Sequence, residues 1–353
     1  MQVDATVRYD KLYEIGVGQG MNSKVFLAHD AQFSGNIAVK EIPKQTFGNS
    51  VTEYYREAER MFAAAHANVV PVFYAGEAAD HICIAMPYFP KGSLESRIEK
   101  GPLPLREALR VAQGVLSGLA KVHTAGLLHF DVKPSNVLFD EFGNPLLADF
   151  GQARRVGSSG LVVVPEMYWK AMPPETLTAG TGSVLSDIYQ AGLLLYRAAN
   201  GDPHYKRQEA LLSLTTVQKK IISGKFPDRH VFQPHVPQRL RTAIRIALRL
   251  NPADRYISTT EFADQLARIP VPLDWAMTEL SDSTVEWRAA RADKADLLVR
   301  LSPDSTKSAW SVQVYTLKGG KLRAKNCKEH WKSGLLYAQA DAHLNEVFSQ
   351  LHA

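Results

Sequence analysis

The stretch His129-Phe-Asp-Val-Lys-Pro-Ser-Asn136, followed thirteen residues later by Asp149-Phe-Gly151, decides how this chain is read. Asp131, Lys133 and Asn136 put a carboxylate, an ammonium and an amide on one short loop. Asp149 adds a second carboxylate. Phosphorylation of a hydroxyl needs such parts. One carboxylate orients the attacking hydroxyl, a cation neutralises the γ-phosphate, and an amide with a carboxylate holds magnesium. A polar loop followed by an unrelated Asp-Phe-Gly turn has no reason to keep this order and spacing.

Upstream lies Val17-Gly-Gln-Gly-Met-Asn-Ser-Lys-Val25. Glycines at 18 and 20 let backbone amides approach a polyphosphate where a side chain would clash. A dinucleotide-binding turn would continue into a helix. Here an alternating strand follows, so the loop reads as a glycine-rich hairpin lying over phosphates. Fifteen residues after Val25 comes Lys40, ending the apolar run Asn36-Ile-Ala-Val-Lys40. Alone, a lysine there is a solvated edge residue. Behind a phosphate-covering hairpin it is placed to clamp phosphate oxygens.

The chain has 353 residues, 45% apolar and 22% charged, with a formal net charge of +5. That excludes a disordered or collagen-like chain, and the basic excess is too small to imply nucleic acid or an anionic membrane. Cys83 and Cys327 are the two cysteines. They suit a reducing cytoplasm better than a disulfide scaffold or zinc ribbon. Apolar runs fall far short of the roughly 18 residues that span a bilayer, and no leader pattern opens the chain.

The first hundred residues read as short strands with one helix over residues 51–65, where Tyr55, Met61 and Phe62 take apolar positions. After Gly101 the texture turns helical. Leu105, Ala108, Ala112, Val115, Leu116, Leu119 and Val122 recur at spacings of three and four. Residues 127–182 are loop-rich, and helical patterning returns over 186–199, 239–250 and 259–267. A Pro-rich boundary at 268–272 opens a tail, 271–353, that holds four of the five tryptophans. It reads as strands over 285–290 and 296–301, a hairpin turning at Gly319-Gly320, and a helix over 335–351.

Residues 10–268 resemble a eukaryotic-type protein kinase of the Ser/Thr class. The resemblance implies an α+β, two-lobed kinase fold: a small β-rich lobe over about 10–86, a larger helical lobe over about 90–268, and a small C-terminal α+β domain. It implies ATP and magnesium (or manganese) as cofactors, a protein substrate, and no membrane insertion. Asp131 matches the catalytic base, Lys133 the γ-phosphate lysine, and Asn136 and Asp149 the metal ligands. Lys40 matches the strand lysine, with Glu57 its helix partner. Gly18, Gly20 and Ser23 match the loop over the phosphates. An alignment starting at Gly16 requires a two-residue insertion. Val25, Ala38 and Leu138 match the adenine contacts, Met86 the gatekeeper, and residues 87–89, with Tyr88 and Phe89, the hinge. Glu175 should pair with Arg255, and Asp187 should anchor the catalytic loop from below. Met61, Val72, His129 and Phe150 fall where the family links its lobes with an apolar stripe, although ordinary core residues would fit there equally.

Three departures stand out. Ser23 replaces the third loop glycine. Phe130 replaces the arginine before the base, the non-RD arrangement, and should pack on activation-segment residues such as 162–164. No threonine lies between Gly151 and Glu175, and Tyr168 sits near its place. Ser158 and Ser159 are the serines in that segment. A non-protein substrate and a nucleotide-binding pseudokinase scaffold therefore stay open beside the protein kinase reading. The tail resembles no named family. Its Lys318, Lys321, Arg323, Lys325, Lys328 and Lys332, with Trp331, read best as a solvated hairpin face. Binding of nucleic acid or a regulatory protein is the other reading. His330 reads as a surface histidine. With its motifs complete by Arg255, a chain ending near residue 272 should fold.

Overall fold

The computed structural model describes residues 6–16, 23–47, 53, 55–164, 172–210, 212–292, 294–324 and 327–352. Gly18, Gly20, Tyr168 and Lys325 lie outside the described residues.

Five strands open the chain: β1 (Asp10–Ile15), β2 (Lys24–Asp30), β3 (Gly35–Pro43), β4 (Tyr74–Glu77) and β5 (His81–Pro87). They form one antiparallel sheet in the order β1-β2-β3-β5-β4. Side chains alternate across a strand. Ile37 and Val39 therefore pack outward of the cleft with Ala28, Cys83 and Ala85, while Ala38 and Ile42 join the main core. Lys40 shares the inner face with them. One helix, α1 (Arg56–Ala63), crosses the sheet and buries Glu57, Ala58 and Met61, positions that share a helical face. It begins later than the periodicity suggests. Phe62 is 78% exposed, because that face is already taken by Met61 and Ala58.

The helical region follows. It contains α2 (Leu94–Ile98) and α3 (Leu105–Thr124), whose seven periodic apolar residues are all buried. Between residues 127 and 182 lie short strands: β6 (Leu127–Leu128), β7 (Val137–Phe139), β8 (Pro145–Leu147), β9 (Arg154–Arg155), β10 (Val162–Val163) and β11 (Thr181–Gly182). β6 pairs β9, β7 pairs β8, and β10 pairs β11. A short α4 (Pro174–Ala179) precedes α5 (Val184–Asn200), which starts on a capping box of Ser183 and Ser186. Then come α6 (Asp202–Glu209), α7 (Leu214–Ile222), α8 (Gln238–Ala247) and α9 (Thr259–Ala267). The sequence pattern does not announce α6, because its eight residues are almost all polar.

The tail is a six-stranded antiparallel sheet with a helix. Strands β12 (Trp275–Glu279), β13 (Val285–Ala289), β14 (Asp296–Pro303), β15 (Trp310–Lys318) and β16 (Lys321–Arg323) lie in that order, and β17 (Lys332–Leu335) also pairs β15. Helix α10 (Tyr337–His352) covers one face. The expected strands, hairpin and helix are present, and β12 is an addition. This sheet does not stand apart. Trp275, Trp287 and Phe348 belong to one continuous core with Leu240, Ile244 and Phe262. Trp287 donates its Nε1–H to His235 Nδ1 at 3.1 Å, and Arg241 donates to Asn345 Oδ1 at 3.0 Å. Arg106 donates its backbone N–H to Asp274 at 3.0 Å. A chain ending near residue 272 would expose this seam.

Candidate active site

The site is assembled by β3, α1, the loop after β6, and the turn after β8. Lys40 Nζ lies 2.7 Å from Glu57 Oε1 and 2.7 Å from Asp149 Oδ1. A buried ammonium would be driven neutral by desolvation. Here Asp149 and then Glu57 outweigh burial and hold its pKa above the ordinary lysine range. Burial pushes the Glu57 carboxyl up, with Lys40 opposing. Burial would raise Asp149 too, but Lys40 wins and holds it well below the usual carboxylate range. Asp149 sits at φ 63, a left-handed backbone held by the bond from Gly151 N–H to its Oδ1 at 3.3 Å.

The loop carrying Asp131 is braced from below by α5. Asp187 is fully buried and accepts the backbone N–H groups of His129 at 3.0 Å and Phe130 at 2.8 Å. Burial alone would raise its carboxyl, but the His123 ring at 2.8 Å and these donors bring it below the usual range. One turn further along α5, Gln190 accepts from Val132 N–H at 3.1 Å and donates to the Phe130 carbonyl at 2.9 Å. Sequence reading missed Gln190. Its signal is its spacing of three from Asp187, which puts both on one helical face. Together they hold the peptides on either side of Phe130, whose φ of 63 costs a bulky residue about 1–3 kcal/mol.

Within the loop, Asp131 Oδ2 accepts from Lys133 Nζ at 2.8 Å and from Asn136 Nδ2 at 2.8 Å. Its Oδ1 is buried and has no hydrogen-bond partner among the described residues. His129 Nδ1 accepts the Asp131 N–H at 3.2 Å, and its ring stands edge-on to Phe150, 4.8 Å between centroids. Burial lowers the pKa of this imidazole. Met61, His129 and Phe150 are buried, with Val72 packed against the same core.

Two clefts of about 930 and 940 Å³ meet at Lys40, Glu57, Ser135 and Asp149. The first is bounded by Ser23, Val25, Ala38, Met86, Tyr88, Phe89 and Leu138, and Asn136 faces it. The second contains Asp131 and Lys133. Every expected site residue within the described part thus borders one of them. Among the described residues, no group of three or more His, Cys, Asp or Glu converges as a metal cage. One amide and one carboxylate at an open cleft could instead share a cation with a bound phosphate.

Beyond the cleft, Arg255 makes a bidentate pair with Glu175, at 2.8 and 2.7 Å, and Ser186 Oγ donates to the same carboxylate at 2.9 Å. This ties α4 to α5. Phe130 packs with Leu128 against Val156, Val162, Val164, Met172 and Val184. Val163 faces out, as strand alternation requires, and is 76% exposed. The Phe130 ring fits because position 182 is glycine. A Cβ there would meet Phe130 Cε1 at 2.5 Å.

A protein kinase domain model matches residues 11–266. The serine/threonine-protein kinase PknL of Mycobacterium tuberculosis is 29% identical over 280 residues, 74% of this chain and 68% of that protein. The serine/threonine-protein kinase PrkC of Bacillus subtilis is 30% identical over 257 residues, 70% of this chain and 38% of that protein. The probable serine/threonine-protein kinase PknB of Lactococcus lactis is 27% identical over 266 residues, 74% of this chain and 42% of that protein. The chain belongs to the protein kinase family, and its relatives place it among the serine/threonine kinases. Among the described residues, no helix is long and apolar enough to cross a membrane.

Proposed function

We propose that this chain transfers the γ-phosphoryl group of ATP to serine or threonine hydroxyls of protein substrates, itself included, without an arginine beside its base. The observation that carries the reading is the Asp131 carboxylate. One oxygen is fixed by Lys133 and Asn136, and the other is a buried acceptor with no hydrogen-bond partner among the described residues, on a residue that borders the cleft. Such an oxygen gains a hydrogen bond only when a donor such as a substrate hydroxyl arrives.

Val25, Ala38, Met86, Tyr88, Phe89 and Leu138 would enclose the adenine, with Gly18, Gly20 and Ser23 over the phosphates. Lys40, kept charged and aimed by Glu57, would bind phosphate oxygens. Asn136 and Asp149 would hold magnesium, or manganese, which when bound screens the negative charge of the phosphates. Asp131 orients the hydroxyl through its Oδ1. As the hydroxyl oxygen bonds to phosphorus, the bond from phosphorus to the bridging oxygen of ADP breaks. The hydroxyl proton passes to Asp131. Lys133 offsets the negative charge of the group in transit.

The same reading assigns residues 1–270 to the kinase unit and 271–353 to a C-terminal α+β domain, and places the protein in the cytoplasm. Its test is purified full chain with γ-labelled ATP and magnesium, alone and with cell lysate. Label on this chain or on lysate proteins is expected. Label only in an RNase-sensitive fraction would move the substrate to nucleic acid. No label anywhere would leave a nucleotide-binding scaffold.

A further inference from the structure

The C-terminal sheet carries a cleft of its own, of about 460 Å³, which shares no lining residue with the two clefts that meet at Lys40. Its floor is Leu297, Val314, Cys327 and Leu351, where the last turn of α10 leaves the end of β14 and β15. Its rim is Arg291, Arg323, Thr316 and His330. The volume lies in the range of small-ligand sites, which pair an apolar floor with a few polar groups.

The rim is biased to positive charge. Arg323 is exposed and has no carboxylate partner among the described residues. Arg291 uses its Nε–H and one Nη2–H on the Ala295 carbonyl, and the rest of its fork stays available. Lys318 and Lys321 continue the positive edge on the paired strands. Of the acids nearby among the described residues, Glu329 lies 3.8 Å from His330 and is 64% exposed, and Asp296 pairs with Arg288 and also interacts with Arg291. Two guanidiniums above an apolar floor match one chemistry. They suit an anionic group, carboxylate, sulfonate or phosphate ester, carried on an apolar body. An inorganic anion would leave the floor wet, and a neutral apolar molecule would leave the guanidiniums unanswered.

We infer that the cleft between α10 and the β14–β16 end of the C-terminal sheet binds a small organic anion with an apolar body. The anionic group meets Arg291 and Arg323, and the apolar body lies on Leu297, Val314 and Leu351. The site is independent of phosphoryl transfer and stands whether or not the chain is an active kinase.

The probe is 8-anilinonaphthalene-1-sulfonate, an aromatic sulfonate whose emission rises in apolar surroundings, titrated into the full chain. Three variants are compared with wild type. Thr316→Trp fills the cleft, Arg323→Ala removes a surface cation, and Arg291→Ala removes the second cation. The nucleotide cleft is the same in all four proteins, so differences report on this cleft. Expected is a saturable phase in wild type that vanishes in Thr316→Trp. It should weaken by about tenfold in Arg323→Ala, the scale of one lost charge-assisted contact. Octanoate should displace the probe, and inorganic phosphate should not. Circular dichroism melts show which variants remain folded, and Arg323→Ala, being exposed, carries the test if Thr316→Trp does not fold. An unchanged saturable phase in Arg323→Ala, or in a folded Thr316→Trp, would overturn the inference, as would no saturable phase in wild type. Displacement by phosphate as readily as by octanoate would also overturn it.

Discussion

The cleft around Lys40 and the seam under the C-terminal sheet are both buried and polar, yet they are built on opposite electrostatic terms. In the cleft, three charges hold one another: Lys40 with Glu57 and Asp149, each at 2.7 Å. At the seam, the buried pair is neutral. Trp287 donates to His235, and burial first, then the neighbouring His352 ring and the Arg241 charge, drives that imidazole down to about 3. The cleft spends its polar groups on charge that phosphates can use. The seam uses a few hydrogen bonds, that of Trp287 to His235 the most buried of them, to fix how two apolar faces meet. Loss of a partner should therefore cost chemistry in the first region and folding in the second.

The largest effect should come from Asp131, whose Oδ1 has no hydrogen-bond partner among the described residues. Asp131→Asn should lower turnover by about 10³-fold while leaving ATP affinity within a few-fold, since in the proposed mechanism Asp131 orients the hydroxyl and does not hold nucleotide. Steady-state kinetics checks this, and a variant retaining a tenth of wild-type kcat would remove Asp131 from the role. Next comes the charge triad. Glu57→Gln should cut turnover by about 10–100-fold, by leaving Lys40 poorly aimed. The neighbouring Glu59→Gln should be silent, and the reverse pattern would contradict the α1 register.

The seam should respond in stability instead. Trp287 is 2% exposed, and Trp287→Ala should cost about 3–5 kcal/mol in urea unfolding. A loss under about 1 kcal/mol would mean that the sheet does not share the core of the helical region. The pH dependence has a definite sign. The His235 pKa is about 3 when folded and about 6.5 when unfolded, so between those values the unfolded chain binds the extra proton. This contribution to stability is complete above about pH 6.5 and is lost as pH falls toward 3. The unfolding midpoint should drop on going from pH 7 to 5, and His235→Asn should flatten that slope. His352, whose pKa burial also lowers, adds in the same direction.

The smallest effect should lie in the activation segment. Phe130 reaches Val162 and Val164 through apolar contact, so ordering them should not require a phosphate. Ser158→Ala with Ser159→Ala should keep activity within about threefold, since no strong charge-assisted contact is lost. A tenfold loss rescued by Asp at either serine would instead point to Arg154 or Arg155 holding a loop phosphate.

Much of this was legible because chemistry concentrates sequence information. Lys40, Asp131, Asn136 and Asp149 stood out because their residue types, order and spacing match the motifs of the kinase family. The periodicity of α3 was equally plain, because one of its faces lies wholly in the core. What stayed hidden depends on tertiary contact. Gln190 looks like any polar helix residue until its amide is seen bridging Phe130 and Val132. Phe62 fits an apolar position by period yet faces solvent. The seam joins His235 to Trp287 across 52 residues, and no local pattern announces such a pair.

The most direct test of the proposed chemistry is phosphoamino-acid analysis of the full chain after reaction with γ-labelled ATP and magnesium, with Asp131→Asn as the control. Label recovered as phosphoserine or phosphothreonine in wild type and absent from the control is the expected result. Label recovered as phosphotyrosine, or equal label in both proteins, would contradict the assignment of Asp131 as the residue that presents a serine or threonine hydroxyl.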